Sequence, residues 1–125
     1  MKHIKNLKIV ITAGASGIGS EIAKILSQAD AKVIICDKDQ EALDQFSKNN
    51  PEIITLKVDV SNEEEVISFF NDIKNLFGEI NALINNAGIA GPSSKLEDTN
   101  FNDWKKTINV NLNGTFLSAK SAIPL

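Results

Sequence analysis

Tyrosine is absent from the 125 residues of this chain, and cysteine, histidine and tryptophan occur once each. One cysteine excludes an internal disulfide, and one histidine excludes a histidine-based catalytic triad and a histidine-rich metal centre, so no metal is expected. That histidine, His3, stands in a ragged N-terminal stretch. Cys36 closes the apolar run Lys32-Val33-Ile34-Ile35-Cys36 and is expected to be buried packing without chemistry. No apolar run approaches the ~20 residues of a membrane span, so a soluble protein is expected. Excess positive charge is missing too: 13 basic residues stand against 16 acidic ones, for a net charge of −3. The lysines are scattered, which leaves no surface for nucleic acid. Met1-Lys2-His3-Ile4-Lys5-Asn6 leads almost at once into the first apolar run and leaves no room for a secretory signal. The expected location is the cytoplasm.

What the chain does have is a globular balance, 42% hydrophobic and 23% charged, in a length that suits one domain over residues 1–125. Short β-rich runs alternate with stretches of helical spacing, which predicts βαβ units and a parallel sheet. The predicted strands are 7–12, 32–36, 53–58 and 80–86. A first helix over about 17–29 would bury Ile18, Ile22, Ile25, Leu26 and Ala29. A second, over about 40–48, takes Asp39 as N-cap and turns Leu43 and Phe46 inward. Ser61 and Glu64 predict a capping box for a third helix, which carries Val66, Ile67, Phe69, Phe70, Ile73 and Leu76 and stops at Gly78. After the polar loop Gly91-Pro92-Ser93-Ser94-Lys95, a long helix is predicted from Asn102 to Ala122, closed by Pro124. Right-handed crossovers then give the strand order 3-2-1-4, with a ligand at the switch point beside strand 1.

The segment Lys8-Ile9-Val10-Ile11-Thr12-Ala13-Gly14-Ala15-Ser16-Gly17-Ile18-Gly19 carries the strongest signal, an apolar strand running into glycines that open an amphipathic helix. Glycines allow a sharp turn, let a pyrophosphate approach backbone N–H groups, and bring helix and strand close together. The helix start adds unpaired donors and the positive end of its dipole. Such a spacing also occurs as ordinary turn punctuation, so its context decides. Asp37 closes the second strand, where an acid accepts hydrogen bonds from adenosine ribose hydroxyls and repels a 2′-phosphate, which favours NAD over NADP. Lys38 beside it could supply a phosphate partner. Asp59 ends strand three at the ligand-binding edge, or is a turn residue before the Ser61 cap. Asn85-Asn86-Ala87-Gly88 ends strand four, and its adjacent amides suggest a loop-locking network or ribose contacts.

With these residues the chain resembles the N-terminal half of a classical short-chain dehydrogenase/reductase. The matches are Thr12 to Gly19 for the TGxxxGxG turn, Asp37, Asp59-Val60, Asn85-Asn86-Ala87-Gly88, and Asn111 within Asn109-Val110-Asn111-Leu112-Asn113-Gly114. They run in family order along nearly the whole chain. The resemblance implies a Rossmann-type doubly wound α/β sheet, here four strands and a long C-terminal helix, and NAD-linked hydride transfer between a small-molecule alcohol and a ketone. Cofactor contacts are implied for Thr12, Gly14, Ser16, Gly17, Ile18, Gly19, Asp37, Asp59, Val60, Asn86, Ala87 and Gly88. Asn111 matches the family's catalytic asparagine, which helps hold a water in a proton relay; a helix-kinking polar residue is the plainer alternative. A flavodoxin-like or response-regulator domain would share the alternation of strands and helices, but does not call for these motifs.

Two positions depart from the family pattern. Ala13 replaces the first glycine, so the tight corner must tolerate a Cβ, and Asp30 stands where relatives often have a glycine after the first helix. The family's catalytic serine, tyrosine and lysine are not matched, and Ser118 and Lys120 do not replace them. Without a tyrosine there is no proton donor for the carbonyl. The chain is therefore expected to be a truncated cofactor-binding half, inactive alone. The alternative is a natural, non-catalytic dinucleotide-binding or self-associating module. An unpaired edge on the fourth strand and exposed surface on the long helix predict a homo-oligomer.

Overall fold

The computed structural model describes residues 3–125. Four parallel strands, β1 (Lys8–Thr12), β2 (Lys32–Asp37), β3 (Ile54–Lys57) and β4 (Ala82–Ile84), lie in the order β3-β2-β1-β4. The helices α1 (Gly17–Gln28), α2 (Gln40–Asn49) and α3 (Glu63–Phe77) connect them in turn. Beyond β4, α4 (Phe101–Ile108) passes through a π-helical turn at Asn109–Asn113 into α5 (Gly114–Ala122) as one continuous helix. The fold class and strand order are those expected from the sequence.

Period-two alternation sorts the sheet into two cores. Ile9, Ile11, Val33 and Ile35 pack with Ala23, Leu43 and Phe46 beneath α1 and α2. Val10, Ile34 and Cys36 pack with Val66, Phe69, Phe70, Ile73 and Ala122 beneath α3 and α5. Both faces are covered, which is why β1 and β2 read as continuous apolar runs. Cys36 is fully buried, as expected.

Several local expectations change. On α1 the buried residues are Gly19, Ser20 and Ala23, while Ile18 and Ile25 are 75% and 52% exposed. Small residues facing the sheet let the helix approach closely, so its inward stripe centres on them, with Ile22 and Leu26 at its flanks. The capping box at Ser61 and Glu64 does not form. The N-cap of α3 is Asn62, whose Oδ1 accepts from Glu65 N–H at 3.2 Å, because Ser61 is already committed to Asp59. Ile67 and Leu76 point outward at 49% and 56% exposure. Strand β4 stops at Ile84, short of the predicted 86, and the following residue, Asn85, is exposed.

Other local signals hold. Asp39 caps α2 by accepting from Ala42 N–H at 3.1 Å, and Gly78 ends α3 at φ 75° with its N–H on Lys74 O at 2.8 Å. Ala13 and Asp30 both take left-handed backbone, φ 51° and 66°, at the two positions where the family pattern favours glycine. The cost of a Cβ there is about 1–2 kcal/mol per residue; at the exposed Asp30 the conformation is held by backbone bonds to Ser27 O at 2.9 Å and from Asn6 N–H at 2.8 Å.

The corrected face of α3 has a direct check. Ile73→Ala should lower stability by about 2–5 kcal/mol in urea unfolding, because it leaves a cavity in a closed core. Ile67→Ala should cost less than about 1 kcal/mol.

Candidate functional site

The carboxyl ends of β1, β2 and β3 meet the loop after β4, and Thr12 holds them together. Its side chain is 1% exposed, and its Oγ1 accepts from the backbone N–H groups of both Asn86 and Ala87 at 3.0 Å. The Asn86 carboxamide returns the bond, its Nδ2 donating to Thr12 O at 3.1 Å and Ala13 O at 2.9 Å. The loop-locking role expected for the paired asparagines thus falls to Asn86, while Asn85 stays exposed.

The glycines of the turn divide by what surrounds them. A Cβ on Gly14 would meet Ile35 Cβ at 2.6 Å, and one on Gly19 would meet Ala13 O at 2.5 Å and Asn86 Nδ2 at 2.6 Å. These two allow strand, helix and loop to pack closely. Gly17 differs: at φ +54° it must be left-handed, yet nothing lies within 4 Å of where its Cβ would stand. It faces open space at the first residue of α1. Ser16, the N-cap, makes no side-chain capping bond, and the first turn of α1 holds no acid. The N–H groups of Gly17, Ile18 and Gly19 therefore find no helical carbonyl, as at any helix start, and the positive dipole end is uncompensated. By contrast, α2 and α3 are capped by Asp39 and Asn62 and carry acids in their first turns.

Beside this helix start lies a slot of about 70 Å³ lined by Ala13, Asp37, Lys38, Val58, Asp59, Val60, Ala87, Gly88, Ile89 and Val110. Five expected site residues, Asp37, Asp59, Val60, Ala87 and Gly88, thus share one cavity. Thr12, Gly14, Ser16, Gly17, Ile18, Gly19 and Asn86 belong to the adjoining turn and its lock. Lys38, anticipated as a phosphate partner, lines the slot as well. Ile89 and Val110 were missed as site residues: Ile89 belongs to no motif, and Val110 reads only as a neighbour of Asn111.

The two acids are held in place by the backbone. Asp37 accepts from Ala15 N–H and from Asp39 N–H, each at 3.2 Å, so it ties the end of β2 to the glycine turn and keeps lone pairs for further donors. Asp59 Oδ1 accepts from Ser61 N–H at 2.9 Å and Ser61 Oγ at 2.6 Å. Burial alone would push the Asp59 carboxyl up, but the Ser61 bonds and the Lys38 charge together outweigh it and hold it below its ordinary value. Burial pushes the Cys36 thiol up to about 12, with Asp37 adding to the rise and a backbone bond from Ala13 opposing it. The thiol stays neutral and unreactive in the folded chain.

Asn111 sits inside the π-helical turn, a distortion common at functional positions. Its Oδ1 accepts from Ile89 N–H at 2.8 Å and its Nδ2 donates to Ile89 O at 2.9 Å. The carboxamide pairs with both backbone groups of one residue and pins the 85–91 loop to the long helix. Its own carbonyl accepts from Thr115 Oγ1 at 2.8 Å. Gly91, at φ +76°, lets the loop pass against Thr107, whose Oγ1 lies 2.8 Å from the position a Cβ would take.

A family profile described as short chain dehydrogenase matches residues 7–125. An uncharacterized oxidoreductase from Bacillus subtilis is 38% identical over 129 residues, covering 100% of this chain and 47% of the relative. The L-fucose dehydrogenase of Oryctolagus cuniculus is 33% identical over 116 residues, covering 93% of this chain and 41% of the relative. Among solved structures, the ligand-free aldohexose dehydrogenase of Thermoplasma acidophilum superposes with a TM-score of 0.86 at 28% identity, over 98% of this chain and 45% of that one. The chain thus spans about half the length of the curated relatives it matches.

Thr12→Val should cost about 2 kcal/mol, since it strands two backbone donors, whereas Thr12→Ser should keep most of the stability. Chemical denaturation checks both. Amide exchange at Asn86 and Ala87 should accelerate in the valine variant and not in the serine one.

Proposed function

The chain belongs to the short chain dehydrogenase family, and from that premise we propose that it binds NAD on the glycine turn and in the slot beside it. The observation that carries this is the open space before Gly17 at the uncapped start of α1. A pyrophosphate fits there, because three outward N–H groups and a helix dipole serve an anion that no side chain obstructs. Asp37 then takes the adenosine ribose hydroxyls on its remaining lone pairs, and its charge disfavours a 2′-phosphate. Asp59, Val60, Ala87 and Gly88 enclose the adenosine side, and the exposed Ile18 offers an apolar surface beyond the phosphates.

When bound, the dinucleotide supplies hydride exchange between an alcohol and a ketone. Asn111 acts here as a positioning residue. Both ends of its carboxamide are spent on Ile89, so its contribution to a proton relay is the backbone carbonyl, which accepts from Thr115 Oγ1 and keeps a second lone pair for a water. The chain has no tyrosine to donate a proton to a carbonyl, so the 125 residues bind the cofactor and do not turn it over. That leaves the non-catalytic module as the second reading, favoured by the same missing residue. We place the protein in the cytoplasm; no helix among the described residues is long and apolar enough to cross a membrane. Self-association belongs to the proposal as well. Phe101, Trp104, Leu112 and Phe116 stand half or more exposed along α4 and α5, an apolar surface that a second copy would cover.

Titrating NADH by its fluorescence tests the site. Saturable binding below about 1 mM is expected, with no oxidation of NADH when ketones are added. Asp37→Ser should weaken NADH about tenfold, equivalent to ~1.4 kcal/mol, without weakening NADPH. No binding at millimolar NADH would overturn the proposal.

A further inference from the structure

The walls of the slot come from different elements. Val58, Asp59 and Val60 form one side at the end of β3, and Val110 reaches in from the long helix. With about 70 Å³ between the lining residues, the distance from the helix to the β3 end decides what the slot admits. One contact sets that distance. A Cβ on Gly114 would meet Val60 Cγ2 at 2.8 Å, Val60 Cβ at 3.2 Å and Val60 O at 3.2 Å. Gly114 itself has helical backbone, φ −61° and ψ −41°, so no left-handed turn calls for a glycine there. The approach to Val60 does.

Neither side of this contact gives way cheaply. Val60 is 8% exposed and β-branched, so its side chain is stiff at χ1. The backbone around it is tied: Asp59 N–H donates to Glu65 Oε2 at 2.8 Å, Ser61 N–H to Asp59 Oδ1 at 2.9 Å, and Asn62 N–H to Asp59 O at 3.0 Å. On the helix side, α5 buries Gly114, Ser118 and Ala122, and Ala122 belongs to the core with Val58, Phe69 and Phe70. A methyl at 114 must therefore push Val60 into the slot, or lift the helix and Val110 away from the β3 end.

We infer that Gly114 is a positioning residue for the adenosine end of the slot: by seating the long helix on Val60 without a side chain, it sets the spacing of the Val60 and Val110 walls. This role rests on the slot receiving the adenosine of NAD. It is separate from the anion site, because the open start of α1 at Gly17 takes no part in the contact.

Two titrations of the 125-residue chain and its variants test this role, NADH by fluorescence and inorganic pyrophosphate by amide NMR. Gly114→Ala should weaken NADH about tenfold. Pyrophosphate needs only the turn, and should shift the Gly17–Gly19 amides with unchanged affinity. A general loosening of the fold would weaken both. Val60→Ala removes the obstructing methyl groups, so adding Gly114→Ala to it should cost NADH less than about twofold. Val60→Ile adds a methyl from the other side of the contact and should reproduce the split between the two ligands, which keeps the test open if Gly114→Ala does not fold. Equal NADH affinity with and without Gly114→Ala overturns the inference alone. So does an equal loss for pyrophosphate, or an undiminished loss in the Val60→Ala background. No NADH binding by the unsubstituted chain overturns the cofactor reading and the inference with it.

Discussion

The hydroxyl of Thr12 is the constraint on which the ligand edge of this molecule depends. It lies at the end of the innermost strand, buried, and accepts two consecutive backbone N–H groups from the segment after β4. Asn86 closes the loop by donating back to the carbonyls of Thr12 and Ala13. Ala13 is thereby held in a left-handed conformation that an alanine would not choose. Everything that faces the slot follows from this knot: the height of the glycine turn, the start of α1 and the path of the 85–91 loop. Asn111 secures the far end of the same loop through Ile89, so two asparagines and one threonine brace the floor of the site.

The knot separates two duties that the motif residues share in sequence. Gly14, Gly19, Thr12 and Asn86 are committed to packing and to one another, with no room for a side chain at either glycine. Gly17, Asp37, Asp59, Val60, Ala87 and Gly88 face outward or line the slot. A dinucleotide motif is thus partly a device for bringing a helix start close to a strand end, and only partly a set of ligand contacts. Because the brace is made of backbone bonds to buried groups, the site is formed before any ligand arrives, which lowers the ordering cost of binding.

Much of this was legible in the sequence where a signal is local and repeated. Strand order followed from alternating periods and from the hand of crossovers, and Asp39, Gly78 and the buried Cys36 followed from short-range chemistry. The failures have a common cause, competition between neighbours that each suit the same role. Ser61 reads as an N-cap, but Asp59 claims it and Asn62 takes the cap. Ile18 and Ile25 read as core on helical spacing, but Gly19 and Ala23 let the helix approach along a different line. The π-helical turn left no trace in spacing, because one extra residue in a helix shifts the apolar face without breaking it. Ile89 and Val110 line the slot through tertiary placement alone.

The glycine turn, and not some other surface, is the proposed seat of the dinucleotide. The most direct measurement is a backbone amide NMR titration of the chain with NADH. Saturating shifts should concentrate at Gly17–Gly19, Asp37–Lys38, Asp59–Val60 and Ala87–Ile89, with α3 unmoved. Shifts absent at Gly17–Gly19, or centred on α4 and α5, would contradict it.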